Sequence, residues 1–339
     1  MTILTAVGVF ANTSVVVLFT LPSRRKVHSR VTYLLRSLAV SDGTMALVGG
    51  TMYAVNCFYH KWVFGRVGCV FHGVVMTCCG VTSIAHLAAI ALERCYTMTH
   101  IQWSVANKDR VPKHIYAAQL ACWVYGALWA VLPLTGLQRY TEEGRVSCSL
   151  DWFNPSPGYK AFNLTMLVTV FFIPGFIMLT TNIIIFKVVH RSLLENRRSR
   201  LLKTEKKLAR SLMYIVVFYL LAWVPYGLAS VWATVDAQSI PTTFLMLTGF
   251  FAKLSFTLNP LLYVGMNQTY RAELIQMSTQ CCCINFQFLQ KFLPNKETLS
   301  QNDDKTDASE ELLDKDTEVM SQVGRLPNSE SFSTKCSTL

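Results

Sequence analysis

Seven runs of predominantly apolar residues, each near or above the ~20 that a helix needs to cross a bilayer, dominate this chain. They fall roughly at 1–21, 31–56, 66–98, 114–135, 160–190, 208–235 and 242–265. Only 15% of the 339 residues are charged, where soluble domains carry about a quarter. The charges that exist collect between the runs. This pattern reads as an all-α membrane protein, a bundle of seven transmembrane helices.

The connecting segments sort by charge. Arg24, Arg25, Lys26 and Arg30 follow the first run, and Lys108, Arg110 and Lys113 follow the third. The segment after the fifth holds Arg191, Arg197, Arg198, Arg200, Lys203, Lys206 and Lys207. The positive-inside rule makes these loops cytoplasmic. The expected localisation is therefore the plasma membrane, multi-pass, with the N-terminus extracellular and the C-terminus cytoplasmic. Met1 already lies in an apolar run. With no cationic segment or small-residue cleavage site, a signal peptide is not the preferred reading; a nearly complete span with a very short or missing outer tail is.

The net charge is +11. Residues 284–339 hold 10 of the 20 acidic and 6 of the 31 basic residues, which leaves +15 on the remainder. That excess sits in loops rather than on one soluble face, so no nucleic-acid partner is expected. None of the 11 cysteines forms a Cys-x-x-Cys pair with zinc spacing, and no metal site is expected. Cys69 and Cys148 flank spans on the side poor in Lys and Arg. That side is oxidising, and a disulfide between them is expected. Three regions follow: 1–265, the transmembrane domain; 266–283, a short amphipathic eighth helix ending in Cys281, Cys282 and Cys283; and 284–339, a polar, disordered tail rich in Ser, Thr and acids.

Lys253 lies about ten residues into the seventh run, so roughly 15 Å deep at ~1.5 Å per residue. An ionisable group at that depth is a functional-site candidate. A structural ion pair is the plainer alternative, and Asp42 is its one mid-span candidate partner. A buried lysine of this kind also forms Schiff bases with aldehydes.

The surroundings of Lys253 decide between these readings. Phe250-Phe251-Ala252-Lys253, followed by Asn259-Pro260-Leu261-Leu262-Tyr263, resembles the last helix of the opsins, a family of class A G-protein-coupled receptors. Other marks fall in order along nearly the whole chain: Gly8 with Asn12, Leu38-Ala39-Val40-Ser41-Asp42, Glu93-Arg94-Cys95, Trp123, Pro174 and Trp223-Val224-Pro225-Tyr226. The stretches Cys57–Gly65 and Cys148–Trp152 look most like the neuropsin-like non-visual opsins.

The resemblance implies a light-sensing receptor. It would bind retinal (11-cis, all-trans or both) on Lys253 as a protonated Schiff base, with Trp223 and Tyr226 lining the pocket. The alternative reading of those two is core aromatics beside the Pro225 kink. Such a proton needs an anion. Visual pigments place Glu three residues after the third-helix cysteine; here His72 stands there. The second family position, six residues before Cys148, is Glu142, with Glu143 as the reserve. Across the family, a loop counterion accompanies stable, photoreversible products.

The resemblance also implies an activation switch. It comprises Glu93, Arg94 and Glu205, with Asn259, Pro260 and Tyr263, and couples to a heterotrimeric G protein by an outward swing of the sixth helix. Cys95 and Asn182 depart from the family pattern and put coupling efficiency in question. Palmitoylation is expected at Cys281, Cys282 and Cys283. Ser300, Ser309, Thr317, Ser321, Ser329, Ser331, Ser333 and Thr334 offer phosphorylation sites for a receptor kinase and arrestin. Ser337-Thr338-Leu339 has the form of a PDZ-domain ligand.

The protein is not expected to be an enzyme, although a retinal photoisomerase or weakly signalling retinal binder is the alternative. A receptor for a diffusible amine is disfavoured, because Met76 stands where amine receptors carry Asp. The sequons at Asn12, Asn163 and Asn267 fall in spans or cytoplasm and read as chance.

Overall fold

Within hydrocarbon a backbone must satisfy its own N–H and C=O groups, and the apolar runs do so as helices. The computed structural model describes residues 2–20, 30–100, 111–143, 145–194, 200–236, 238–266, 270–272 and 274. Among these, seven helical runs form the bundle. They are α1 (Thr2–Thr20), α2 (Arg30–Thr44, a π-helical turn Met45–Gly50, then Thr51–Tyr59), α3 (Gly65–Thr99) and α4 (Lys113–Val131). Next come α5 (Pro157–Met166, a π-helical turn Leu167–Phe172, then Ile173–Leu194), α6 (Arg200–Val235) and α7 (Thr242–Met266). The expected spans and these helices agree to within a few residues except at the start of α6.

Six runs are long and apolar enough to cross a bilayer by length and composition alone. The remaining one, α2, carries Arg30, Arg36 and Asp42, and each of these charges needs its own account. Polar hydroxyls elsewhere are tied down locally: Thr44, Thr165 and Thr180 each donate to the carbonyl four residues back, a bond that lets a hydroxyl sit in an apolar helix.

The exterior is apolar. Phe10, Leu120, Phe176 and Leu221 are exposed on outer faces, as in a surface meant for lipid. Inside, Val15, Leu18, Leu38, Ile84, Leu87, Met178, Ile215 and Tyr219 pack as one core. α3 packs against α2, α4 and α5. Gly126 lets α4 approach closely, since a Cβ there would meet the Cys78 carbonyl oxygen at 2.5 Å.

Two antiparallel strands, β1 (Tyr140–Glu143) and β2 (Ser147–Leu150), pair Glu142 with Cys148 and Glu143 with Ser147. The sequence reading contained no such hairpin. It is fastened on several sides. Cys148 is disulfide-bonded to Cys69 on α3. Arg66 donates to the Tyr140 carbonyl at 2.6 Å, the Tyr140 hydroxyl donates to the Ala130 carbonyl at 2.9 Å, and Asn56 donates to the Val146 carbonyl at 3.2 Å. Arg139 forms an ion pair with Asp151 at 2.7 Å, and Gln138 donates to Asn163 on α5 at 2.7 Å. Asn12 and Asn163 are fully buried and unsuited to carry a glycan; Asn267 lies outside the described residues.

Tyr270 is buried, its ring edge-on to Phe19 of α1 at 5.0 Å. Most of 266–283, including Cys281, Cys282 and Cys283, and all of 284–339 with Ser337–Leu339, lies outside the described residues.

Candidate functional site

The hairpin caps a cavity inside the helix bundle. Its atom-free space, open mouth included, is about 810 Å³. The wall is mostly apolar. Met45 comes from the π turn of α2, Met76, Gly80 and Val81 from α3, Val170 from the π turn of α5, and Phe256 from α7. Gly73 lets the hairpin seat over α3, because a Cβ there would fall 2.2 Å from the Tyr140 ring.

Lys253 lies on α7, and its side chain is outside the described residues. Its helix face is nevertheless defined. Gly249 and Phe256 stand four before and three after it, and both line the cavity; positions spaced three or four apart share a helix face. Asp42, the alternative partner for the lysine, is already engaged. Ser83 donates to one of its oxygens and Asn259 to the other, both at 2.8 Å. Asn259 is six residues beyond Lys253, about 9 Å along the helix.

Trp223 and Tyr226 of α6 both line the cavity. The Trp223 ring stacks on Tyr219 at 5.8 Å and meets Tyr226 edge-on at 6.2 Å. Its indole N–H donates to Ser255 Oγ at 2.9 Å, and that hydroxyl donates to the Ala252 carbonyl at 2.7 Å. The sequence reading did not find Ser255, which ties α6 to α7 two residues from Lys253. It also missed Trp152, which lines the cavity and faces Tyr226 edge-on at 6.4 Å.

The two loop acids differ. Glu142, weighted first by spacing, is exposed, whereas Glu143 lines the cavity with one carboxylate oxygen fully shielded from solvent. Neighbouring strand residues point to opposite faces, so only one of the pair can face inward. His72, expected at the pocket, lies off the cavity wall. It is buried, with Nδ1 3.0 Å from the Cys148 carbonyl oxygen and its ring edge-on to Trp62 at 5.5 Å. It packs the disulfide in place.

The matching family is described as "7 transmembrane receptor (rhodopsin family)", and the match spans residues 11–263. The chain belongs to the rhodopsin family of seven-transmembrane receptors. Its relatives are opsins. It is 29% identical to Opsin-5 of Homo sapiens over 82% of this chain and 78% of that one, and 30% identical to Opsin-5 of Mus musculus over 77% and 71%. Melanopsin of Mus musculus is 26% identical; the alignment covers 79% of this chain and 53% of that longer protein. Squid rhodopsin shares the fold, with a TM-score of 0.72 at 24% identity over 86% of this chain and 89% of that one.

At the other end of this rhodopsin-family receptor, Glu93 is buried and two basic side chains lie near it. Arg30 Nη1 lies 3.9 Å from one carboxylate oxygen and His114 Nε2 3.4 Å from the other. Neither partner was read from sequence. Arg94 is buried beside Glu93 and borders a small cavity with Asn182 and Ile215. Asn182 donates back to the Met178 carbonyl at 2.7 Å. Pro225 and Pro260 sit inside α6 and α7. The side chains of Glu205 and Tyr263 lie outside the described residues.

Proposed function

We propose that this receptor is a light-sensing, non-visual opsin that holds retinal on Lys253 as a Schiff base and activates a heterotrimeric G protein. The observation that carries the reading is the capped cavity: an apolar chamber walled by the Lys253 face of α7, with one carboxylate on its wall. Its residues suit a long apolar aldehyde, since apolar groups surround the body and the lysine face and acid supply the polar end. Retinal, when bound, supplies the conjugated double bonds that absorb light and change shape.

The chain's own groups do the rest. Glu143 provides negative charge on the cavity wall, where a positive nitrogen would otherwise be costly; we take it, rather than Glu142, as the counterion. Trp223 and Tyr226 brace the chamber on α6. The Trp223–Ser255 bond holds α6 to α7 and gives a change in cavity shape a direct route to the helix that swings. A ligand shifts that balance only through its different fit to the two states. Glu93 and Arg94 hold the far end, which we take as cytoplasmic, with the hairpin outside. Arrestin, a receptor kinase, a PDZ-domain protein and palmitate at Cys281, Cys282 and Cys283 belong to this proposal on the sequence alone.

The test is the absorption spectrum of the purified protein with 11-cis and with all-trans retinal, before and after light, beside Lys253→Ala. A retinal-dependent band that light shifts and the variant lacks is expected. No band with either isomer, in folded protein, refutes the reading.

A further inference from the structure

Three charges sit along α2 at intervals of six residues: Arg30, Arg36 and Asp42. Two have partners inside the protein. Arg30 pairs with Glu93, and Asp42 accepts from Ser83 and Asn259. Arg36 differs. Among the described residues its one contact of this kind is the Tyr33 ring, over which its guanidinium lies at 5.4 Å. It is about 9 Å along the helix from Arg30, within an apolar span, where an unpaired charge is costly.

Its surroundings form a groove between α2 and α4. Tyr33 is edge-on to Tyr116 of α4 at 5.9 Å. Gln119 donates to the Tyr33 carbonyl at 2.7 Å, and Trp123 donates to Ser37 at 3.0 Å. The two helices are thus tied on either side of Arg36. Arg36 is half-buried and Tyr116 is exposed, so the groove opens on the surface that meets lipid. The arginine lies over the ring one turn nearer the start of α2, so its head runs toward the membrane face, the direction in which long cationic side chains seek polar surroundings.

We propose that Arg36, with Tyr33 and Tyr116, holds the phosphate of one anionic phospholipid in the groove between α2 and α4, at the end of the bundle opposite the hairpin. A guanidinium offers a planar fork of donors that matches phosphate oxygens. Its central carbon lies 5.4 Å from the Tyr33 ring centroid, a cation–π distance that leaves the N–H groups able to donate to a ligand. The lipid's acyl chains would lie along the apolar outer face of α4, where Leu120, Val124 and Leu128 are exposed. Basic pockets between membrane helices recognise such headgroups.

The experiment counts lipids retained by the purified full-length receptor, by native mass spectrometry, from detergent holding equal phosphatidylglycerol and phosphatidylcholine. The wild type should favour phosphatidylglycerol about fivefold. Arg36→Gln should bring the ratio to parity. Lys187→Gln, which removes an exposed charge from α5, should leave it unchanged. Millimolar inorganic phosphate should not displace the lipid; if it does, the site is for a free anion and the proposal is overturned. Unchanged preference in Arg36→Gln also overturns it. So does equal retention of the two lipids by the wild type, an outcome that stands even where the variant does not fold.

Discussion

Replacing Ser255 with alanine strands the Trp223 indole N–H, whose one acceptor among the described residues is the Ser255 hydroxyl at 2.9 Å. A buried donor left without an acceptor costs about 1–3 kcal/mol. Trp223 is half-buried, so the lower part of that range, about 1–1.5 kcal/mol, applies. On the proposed function the bond belongs to the resting arrangement of α6 against α7, and its loss falls on that state alone. About 1.4 kcal/mol is a factor of ten in an equilibrium, so the active population in darkness should rise by about tenfold. Trp223→Phe removes the donor together with its need for a partner and should cost less. The double variant should be little worse than Ser255→Ala, because the two changes remove one interaction. The assay is nucleotide exchange on a G protein in the dark, beside thermal melting. A lowered melting temperature with unchanged dark exchange would show that the bond persists in both states and would refute the reasoning. No change in either would show that the bond contributes nothing.

Glu143→Gln should abolish the visible absorption band of the retinal-loaded protein at neutral pH, while Glu142→Gln should leave it within a few nanometres; the reverse result would return the counterion to Glu142. Gly73→Val drives a side chain into the Tyr140 ring, and overpacking of this kind costs about 1–3 kcal/mol. The variant should melt earlier and take up retinal poorly, and wild-type uptake would show that the hairpin does not close the chamber. Burial pushes the Tyr140 phenol up to about 12. The unfolded chain releases that proton near ~10, so stability should fall from about pH 10 to 12, by up to ~2–3 kcal/mol. Tyr140→Phe should melt with less pH dependence across that window; an identical dependence would assign the effect to other groups.

The helices were legible because a span needs only length and apolar content, and both are local. Even α2 could be drawn despite Arg36 and Asp42, since its neighbours are apolar. The hairpin was not legible: four-residue strands leave almost no pattern, and this pair is held by contacts from α2, α3, α4 and α5. That gap explains the ordering of the two acids. Counting back from Cys148 selects Glu142, but which neighbour faces inward depends on the seating of a hairpin the counting does not contain. Lys253, Trp223 and Tyr226 were singled out from family motifs. Ser255, Trp152, Arg30 and His114 were not, because each acquires its role from a partner 21 to 74 residues away. His72 misled in the opposite direction: its position suggested the chamber, while its ring nitrogen serves the backbone of β2.

The π turn in α2 is one residue more than an α-helix would use there. Everything after it is rotated by about 100° relative to an unbroken helix. Asn56 lies beyond that turn, where it donates to Val146 of the hairpin and accepts from the Val63 amide at 3.0 Å. Deleting a single codon between Met45 and Gly50 would therefore spare every other residue yet turn Asn56 away from the cap, loosening the chamber's roof from a distance. In evolutionary terms, a relative without this extra residue would align with the outer third of α2 only across a one-residue gap, and the same applies to α5 beyond Phe172.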